Sequence, residues 1–193
     1  MDELRDIYRK LSDYRKGDHV DERGRPKSVS YLAELKNRED LSANDMQIIY
    51  TLLAGECNLY KLREEERQIH EEFIQKFPEN PVSWIGIANF YMRNSNKNKK
   101  AIDYSETAIS VSRKSKNLVR MSLNTATRAH IIFENWGRAE EILQELLEYQ
   151  KPEDSSDEGV DLNILHVDGI EHIREDILVK LRQLAAGTKD HLK

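Results

Sequence analysis

The chain has 193 residues, of which 34% are charged, and its formal net charge at pH 7 is −5. An average globular domain is about 25% charged, so this chain is rich in residues that favour a solvated surface. No segment approaches the ~20 consecutive apolar residues of a membrane-spanning helix, which argues against a transmembrane protein. Glycine (8) and proline (4) are scarce. The composition therefore predicts an all-α protein.

The cysteine content and the first residues indicate the compartment. Cys57 is the only cysteine, so neither an intramolecular disulfide nor a cysteine-based zinc site can form. The segment Met1–Arg5 lacks the apolar core of a signal peptide, and its acidic side chains are unlike a transit peptide. We therefore expect a cytoplasmic protein, built as one domain or as two very small ones.

Apolar residues at helical spacing predict a series of helices along the chain. Two of them begin with a capping box, in which the first residue and an acidic residue three positions later bond the backbone N–H groups that a helix start leaves free. The boxes are Ser42–Asp45 and Asp168–Glu171, and the helix after the second box is expected to end at Gly187. Residues 17–27 and 151–162 are predicted loops. The predicted helices cover 2–16, a short stretch from 28, 42–60, 63–77, 81–93, 99–113, 117–134, 138–150 and 169–186.

The most specific feature of the sequence is an internal repeat with an offset of 34 residues. The best unit runs Trp84-Ile-Gly-Ile87-Ala88-Asn-Phe-Tyr91 and continues with Ala101-Ile-Asp-Tyr104-Ser-Glu-Thr-Ala108. The preceding unit matches its first helix at Tyr50, Leu53, Ala54 and Cys57, and a looser third unit contains Ala126, Ala129, His130 and Phe133, then Gly137, Ala139 and Ile142. This pattern resembles the W-x2-L-G-x2-Y and A-x6-A signature of the tetratricopeptide repeat family.

The resemblance implies antiparallel helix pairs stacked as a short solenoid over residues 45–150. Residues 1–44 would then form N-terminal helices and a charged loop, and residues 151–193 an acidic loop and a C-terminal capping helix. An unrelated helical bundle is the alternative, because it also places small residues where helices cross. In both folds Cys57 and His130 are expected to be packed side chains.

The resemblance also implies a concave groove that binds a protein or peptide and is lined by the first helix of each pair. Amide and guanidinium groups on these helices can hydrogen-bond or charge-pair with a peptide backbone and terminus. Asn89, Arg93, Asn124 and Arg128 together are therefore the strongest candidates. The complete set of predicted partner-binding residues is Thr51, Asn58, Ile85, Asn89, Met92, Arg93, Asn124, Thr127 and Arg128.

Motifs of catalytic chemistry are missing from the sequence. It contains no Walker loop, no G-x-G-x-x-G, no nucleophile elbow and no H-E-x-x-H zinc motif. We therefore expect a protein that is not an enzyme and that uses no cofactor and no metal.

The charges are unevenly distributed and leave three classes of function open. Residues 93–120 carry a net charge of +6, and residues 151–175 carry −6. The first class is an adaptor that binds a protein or peptide, and the second is an inhibitor resembling bacterial immunity proteins, which occludes a toxin. The third is a nucleic-acid-binding regulator that uses the 93–120 cluster, although that cluster contains a single aromatic residue for stacking. The acidic segment could steer a basic partner.

Overall fold

The computed structural model describes residues 2–17, 19–94, 99–149 and 162–190. Within these ranges the chain forms α-helices and two short 3₁₀ segments and contains no β-strand, so the predicted all-α class is confirmed. No helix in the described part of the chain is long and apolar enough to cross a membrane. The helices are α1 (Asp2–Lys16), α2 (Lys27–Lys36), α3 (Ala43–Leu59), α4 (Arg63–Lys76), α5 (Pro81–Asn94), α6 (Lys100–Ser115), α7 (Val119–Ile132), α8 (Trp136–Glu148) and α9 (Glu175–Asp190).

The chain divides into two compact units, Met1–Phe77 with α1 to α4 and Pro78–Lys193 with α5 to α9. The division falls inside the segment 45–150 that the sequence predicts to be one repeat core. Residues 151–161 of the predicted loop 151–162 lie outside the described residues.

In the first unit, α2 packs against α1 and α3, and α3 packs against α4. Ser42 caps α3 as predicted, because its hydroxyl accepts a hydrogen bond from the backbone N–H of Asp45 at 3.1 Å. The Asp45 carboxylate accepts from the Ser42 hydroxyl at 2.6 Å, so the second half of the predicted capping box takes a different form. The Tyr50 ring stacks on Phe73 with 5.2 Å between ring centres. These contacts fix α3 against α4 around a core of large buried side chains: Ile7, Leu11, Leu32, Ile49, Leu53 and Phe73.

The predicted loop before α2 is organised by one carboxylate. Asp21 accepts hydrogen bonds from the backbone N–H groups of Arg25 and Arg23, each at 2.9 Å, and from the Ser30 hydroxyl at 2.8 Å. The Arg25 N–H and the Ser30 hydroxyl are the main groups that hold the pKa of Asp21 below its ordinary value. Since these bonds satisfy backbone groups that a loop leaves exposed, this segment has a defined conformation.

In the second unit, each of α5 to α8 packs on the next helix, and α5 also contacts α7. Residues of the repeat signature lie where these helices meet: Ile87 and Ala88 on α5 and Ala101 and Ala108 on α6 are fully buried. Small side chains at these points let the helix backbones approach closely. The apolar core continues through α7 and α8 into α9, and its members include Leu123, Ala126, Ala139, Ile142, Leu143, Ile177, Leu178 and Leu181.

The predicted capping box Asp168–Glu171 is wrong, because α9 begins only at Glu175. Residues 162–166 and 170–172 form 3₁₀ segments instead. The backbone N–H of Arg174, just before α9, donates a hydrogen bond of 2.8 Å to the Glu140 carboxylate of α8. The group that caps the start of α9 therefore comes from another helix. The helix also continues through Gly187 to Asp190, and the predicted end at Gly187 is wrong as well.

Candidate protein-binding face on α5 and α7

Two Asn-x3-Arg pairs lie on helices that contact each other. Asn89 and Arg93 are one turn apart on α5, and Asn124 and Arg128 are one turn apart on α7. Residues four positions apart share one face of a helix. The second pair follows the first by 35 residues, which is the 34-residue repeat plus the one residue inserted in the link 94–100. We call these four residues the Asn/Arg face, after the groove surface on which a tetratricopeptide-like repeat would place them.

Asn124 is the most unusual side chain of this face. It is only 6% exposed, and its amide oxygen has no hydrogen-bond partner among the described residues. The neighbouring polar side chains, in contrast, are hydrogen-bonded: the hydroxyls of Thr125 and Thr127 donate to the backbone carbonyls of Met121 and Leu123, both at 2.9 Å. A buried polar atom without a partner costs about 1–3 kcal/mol, so this amide reduces the stability of the free protein.

Arg128 and Asn89 also keep their hydrogen-bonding capacity. Both side chains are partly buried, and neither forms a hydrogen bond or ion pair with another residue that the structure describes. Arg93 is exposed in the last turn of α5. The face therefore presents amides that both donate and accept, together with guanidinium groups that only donate.

The structure places the other five predicted binding residues differently from one another. Thr51 and Asn58 are exposed on α3, which belongs to the first unit. Ile85 and Thr127 are buried in the interior of the second unit, and Met92 is partly buried. The polar groups that α5 and α7 offer are therefore mainly those of the Asn/Arg face.

A second polar cluster in this unit is satisfied internally. The Glu106 carboxylate of α6 lies 2.9 Å from Nε2 of His130 and accepts from Nε and Nη2 of Arg138, at 2.8 and 3.1 Å. Arg138, followed by His130, holds the pKa of Glu106 below its ordinary value. His130 is 2% exposed, and Nδ1 lies 3.1 Å from the amide nitrogen of Asn135. The cluster joins α6, α7 and α8, and its polar groups bond one another.

Sequence reasoning placed His130 at a helix crossing but missed its partners Glu106 and Arg138. They are 24 residues before it and 8 residues after it, on two other helices. The i, i+3 and i, i+4 patterns reveal pairs on one helix. The repeat alignment could have indicated these partners, because it predicts that α6, α7 and α8 lie side by side.

Cys57 is buried on α3, as the sequence predicts. Burial and the nearby charge of Glu65 raise the pKa of its thiol to about 12. The thiolate is the nucleophile, so at pH 7 this side chain is unreactive. Among the described residues, no group of three or more His, Cys, Asp or Glu side chains could hold a metal ion.

The basic cluster of residues 93–120 is divided by the length of α6. On this 16-residue helix the cations lie near the two ends, with Lys100 in the first turn and Arg113 and Lys114 in the last, and at 1.5 Å per residue the helix is about 24 Å long. At the far end, Arg113 pairs with Glu145 at 2.6 Å and Lys114 with Glu79 at 3.2 Å. Arg120 donates to the backbone carbonyl of Tyr149 at 3.0 Å. The cluster therefore does not form one continuous unpaired surface.

We compared the chain with models of known protein families, with curated proteins and with solved structures, and no match was found. The resemblance to tetratricopeptide repeats thus rests on the residues quoted from this sequence.

Proposed function

We propose that the protein is a non-enzymatic module that binds an extended segment of a partner protein along the Asn/Arg face. The observation that carries the proposal is the pair Asn89 and Arg128, whose partly exposed side chains form no hydrogen bond or ion pair with another described residue. Polar side chains that keep their bonding capacity at the surface are available to a partner. The tetratricopeptide-like repeat supports the same role.

The chemistry of the face suits a peptide backbone. Each peptide unit offers one N–H and one C=O, and an asparagine amide can bond both. Packed helices lie about 8–10 Å apart, while an extended chain advances about 3.3 Å per residue. A segment of about three residues would therefore span from Asn89 on α5 to Asn124 on α7.

The arginines indicate the charge of the partner. Guanidinium groups favour carboxylates, which they can bind through two parallel hydrogen bonds. A segment with an acidic side chain or a C-terminal carboxylate beside Arg128 fits best. An inhibitor that occludes a toxin would use the same face against a folded surface. The divided basic cluster gives no support to a nucleic-acid regulator.

Selection from a random peptide library displayed on phage, with the purified full chain as bait, tests this proposal. We expect enriched peptides to contain acidic residues and to bind the double variant Asn89→Ala with Arg128→Ala at least tenfold more weakly in calorimetry. Arg113→Ala is the matched control, because it removes an arginine on α6 that pairs with Glu145. Unchanged affinity of the double variant would exclude this face, and failure to enrich any peptide would exclude an extended segment as the partner.

A further inference from the structure

The first unit contains a surface cleft of about 590 Å³ that the proposed function does not use. It opens between the end of α2, the link to α3, the start of α3 and the end of α4. Its volume lies within the ~300–1,000 Å³ typical of sites for small molecules. The residues that line it include Lys36, Leu41, Met46, Tyr50, Lys76 and Phe77.

The floor of the cleft is apolar and aromatic. Met46 and Tyr50 are buried side chains of α3 that reach the cleft, and Leu41 and Phe77 are partly buried beside them. The Phe77 ring lies edge-on to Tyr50 with 6.2 Å between ring centres, and Tyr50 is itself stacked on Phe73. A floor of stacked rings and a methionine favours a flat apolar group such as an aromatic ring.

One of the two carboxylates that line the cleft is occupied by the protein. The Glu72 carboxylate pairs with the Lys36 ammonium and bonds the Tyr50 hydroxyl. This hydrogen bond, the charge of Glu72 and above all burial raise the pKa of Tyr50. Glu39 is the other carboxylate that lines the cleft.

Donors, in contrast, remain available. The exposed Lys76 ammonium has no partner among the described residues. Ala43 also lines the cleft, and it is the first residue of α3, whose N–H a helix leaves unbonded. Lys36 uses one of its three N–H groups for Glu72. The Glu39 carboxylate remains as an acceptor, but the three cations of the lining, Lys36, Arg38 and Lys76, outnumber its two carboxylates and favour a negative charge.

We infer that this cleft binds a small amphipathic anion, an aromatic ring that carries a carboxylate. The ring would lie on Met46 and Tyr50, and the carboxylate would bond Lys76 and the N–H groups at the start of α3. A free aromatic acid and the C-terminal residue of a peptide that ends in phenylalanine share this chemistry. The site belongs to the first unit, so its failure would leave the proposed function of α5 and α7 untouched.

NMR of the full chain, with ¹³C-labelled methionine methyl groups, tests this inference with phenylacetate as the probe. The protein has four methionines; Met46 lies in the cleft, whereas Met92 and Met121 belong to the second unit and serve as internal references. We expect phenylacetate to shift the Met46 signal saturably and to leave the two reference signals in place. Uncharged phenylacetamide should need at least fivefold higher concentration. Equal affinity of acid and amide, or an unmoved Met46 signal at millimolar phenylacetate, would overturn the inference.

Charge variants of the cleft sharpen the test. Lys76→Gln should weaken phenylacetate at least threefold, and Glu39→Gln should strengthen it, whereas Lys180→Gln on α9 should change nothing. If Lys76→Gln and Lys180→Gln behave alike, the cation of the cleft is not involved and the inference fails.

A second experiment compares N-acetyl-glycyl-phenylalanine with its amide. Binding of the peptide acid alone assigns the site to a peptide C-terminus, and comparable binding of phenylacetate assigns it to a free acid.

Discussion

Replacing Gly169 by alanine should strongly destabilise the second unit, because two separate effects act at this position. The backbone is left-handed there, with φ at +93°, and a side chain in a left-handed conformation costs about 1–2 kcal/mol. In addition, the new Cβ would lie 2.7 Å from Cη2 and 3.2 Å from Cζ3 of Trp136. Trp136 cannot easily move aside, since it packs against the apolar core of the second unit, and the His172 ring lies tilted against it with 4.7 Å between ring centres.

Forcing an extra methyl group into a packed site typically costs about 1–3 kcal/mol. Together with the backbone effect, we expect Gly169→Ala to lower the free energy of unfolding by about 2–5 kcal/mol. Urea denaturation followed by tryptophan fluorescence measures this value, because both tryptophans, Trp84 and Trp136, belong to the second unit.

Gly137→Ala is the matched control in the same unit. Its φ is not in the left-handed region, and a Cβ there would have no other atom within 4 Å. We therefore expect this control to be as stable as the wild type or to gain up to about 1 kcal/mol, since alanine favours helices. A loss below about 0.5 kcal/mol for Gly169→Ala would show that the turn over Trp136 is not tightly packed and would refute the reasoning.

Two further predictions concern titratable groups. Arg138 and His130 lower the pKa of Glu106 in the folded protein, so the stabilisation from Glu106 is complete above its ordinary pKa and is lost as the pH falls through the lowered one. Glu106→Gln should therefore have a lower free energy of unfolding than the wild type at pH 7. Urea denaturation should show a smaller difference between the two proteins at pH 3.5 than at pH 7. The same difference at both pH values would contradict the prediction. Burial raises the pKa of Cys57 to about 12, so its thiol should resist iodoacetamide at pH 8 in the native protein. It should react readily in 6 M guanidinium, and mass spectrometry measures both reactions. Rapid labelling of the native protein would show that Cys57 is accessible and would contradict this prediction.

Much of the helical fold could be predicted from local patterns. Ser42 caps α3 as expected, because its hydroxyl and the N–H that it bonds belong to the same helix start. The Asp168–Glu171 pattern failed because Gly169 passes against Trp136 and the cap of α9 comes from Glu140, 34 residues before the N–H that it bonds. Such a cap depends on the packing of α8 against α9, which no local pattern contains.

The candidate face was predictable only in part. The resemblance to tetratricopeptide repeats implied Asn89, Arg93, Asn124 and Arg128 as exposed residues of the first helices, and in the structure one helical turn separates the members of each pair. The same resemblance implied Thr127, which is completely buried. The net charge of residues 93–120 likewise does not show where the charges lie in space, since α6 separates the cations at its start from those at its end.

The most direct test of the binding proposal is the affinity of Asn89→Leu for a peptide selected on the wild-type protein. Leucine has nearly the shape of asparagine but has no amide. We predict at least a tenfold loss of affinity in calorimetry, with a free energy of unfolding within about 1 kcal/mol of the wild-type value, because the Asn89 side chain forms no hydrogen bond or ion pair with another described residue. Full affinity of Asn89→Leu for the peptide would contradict the account.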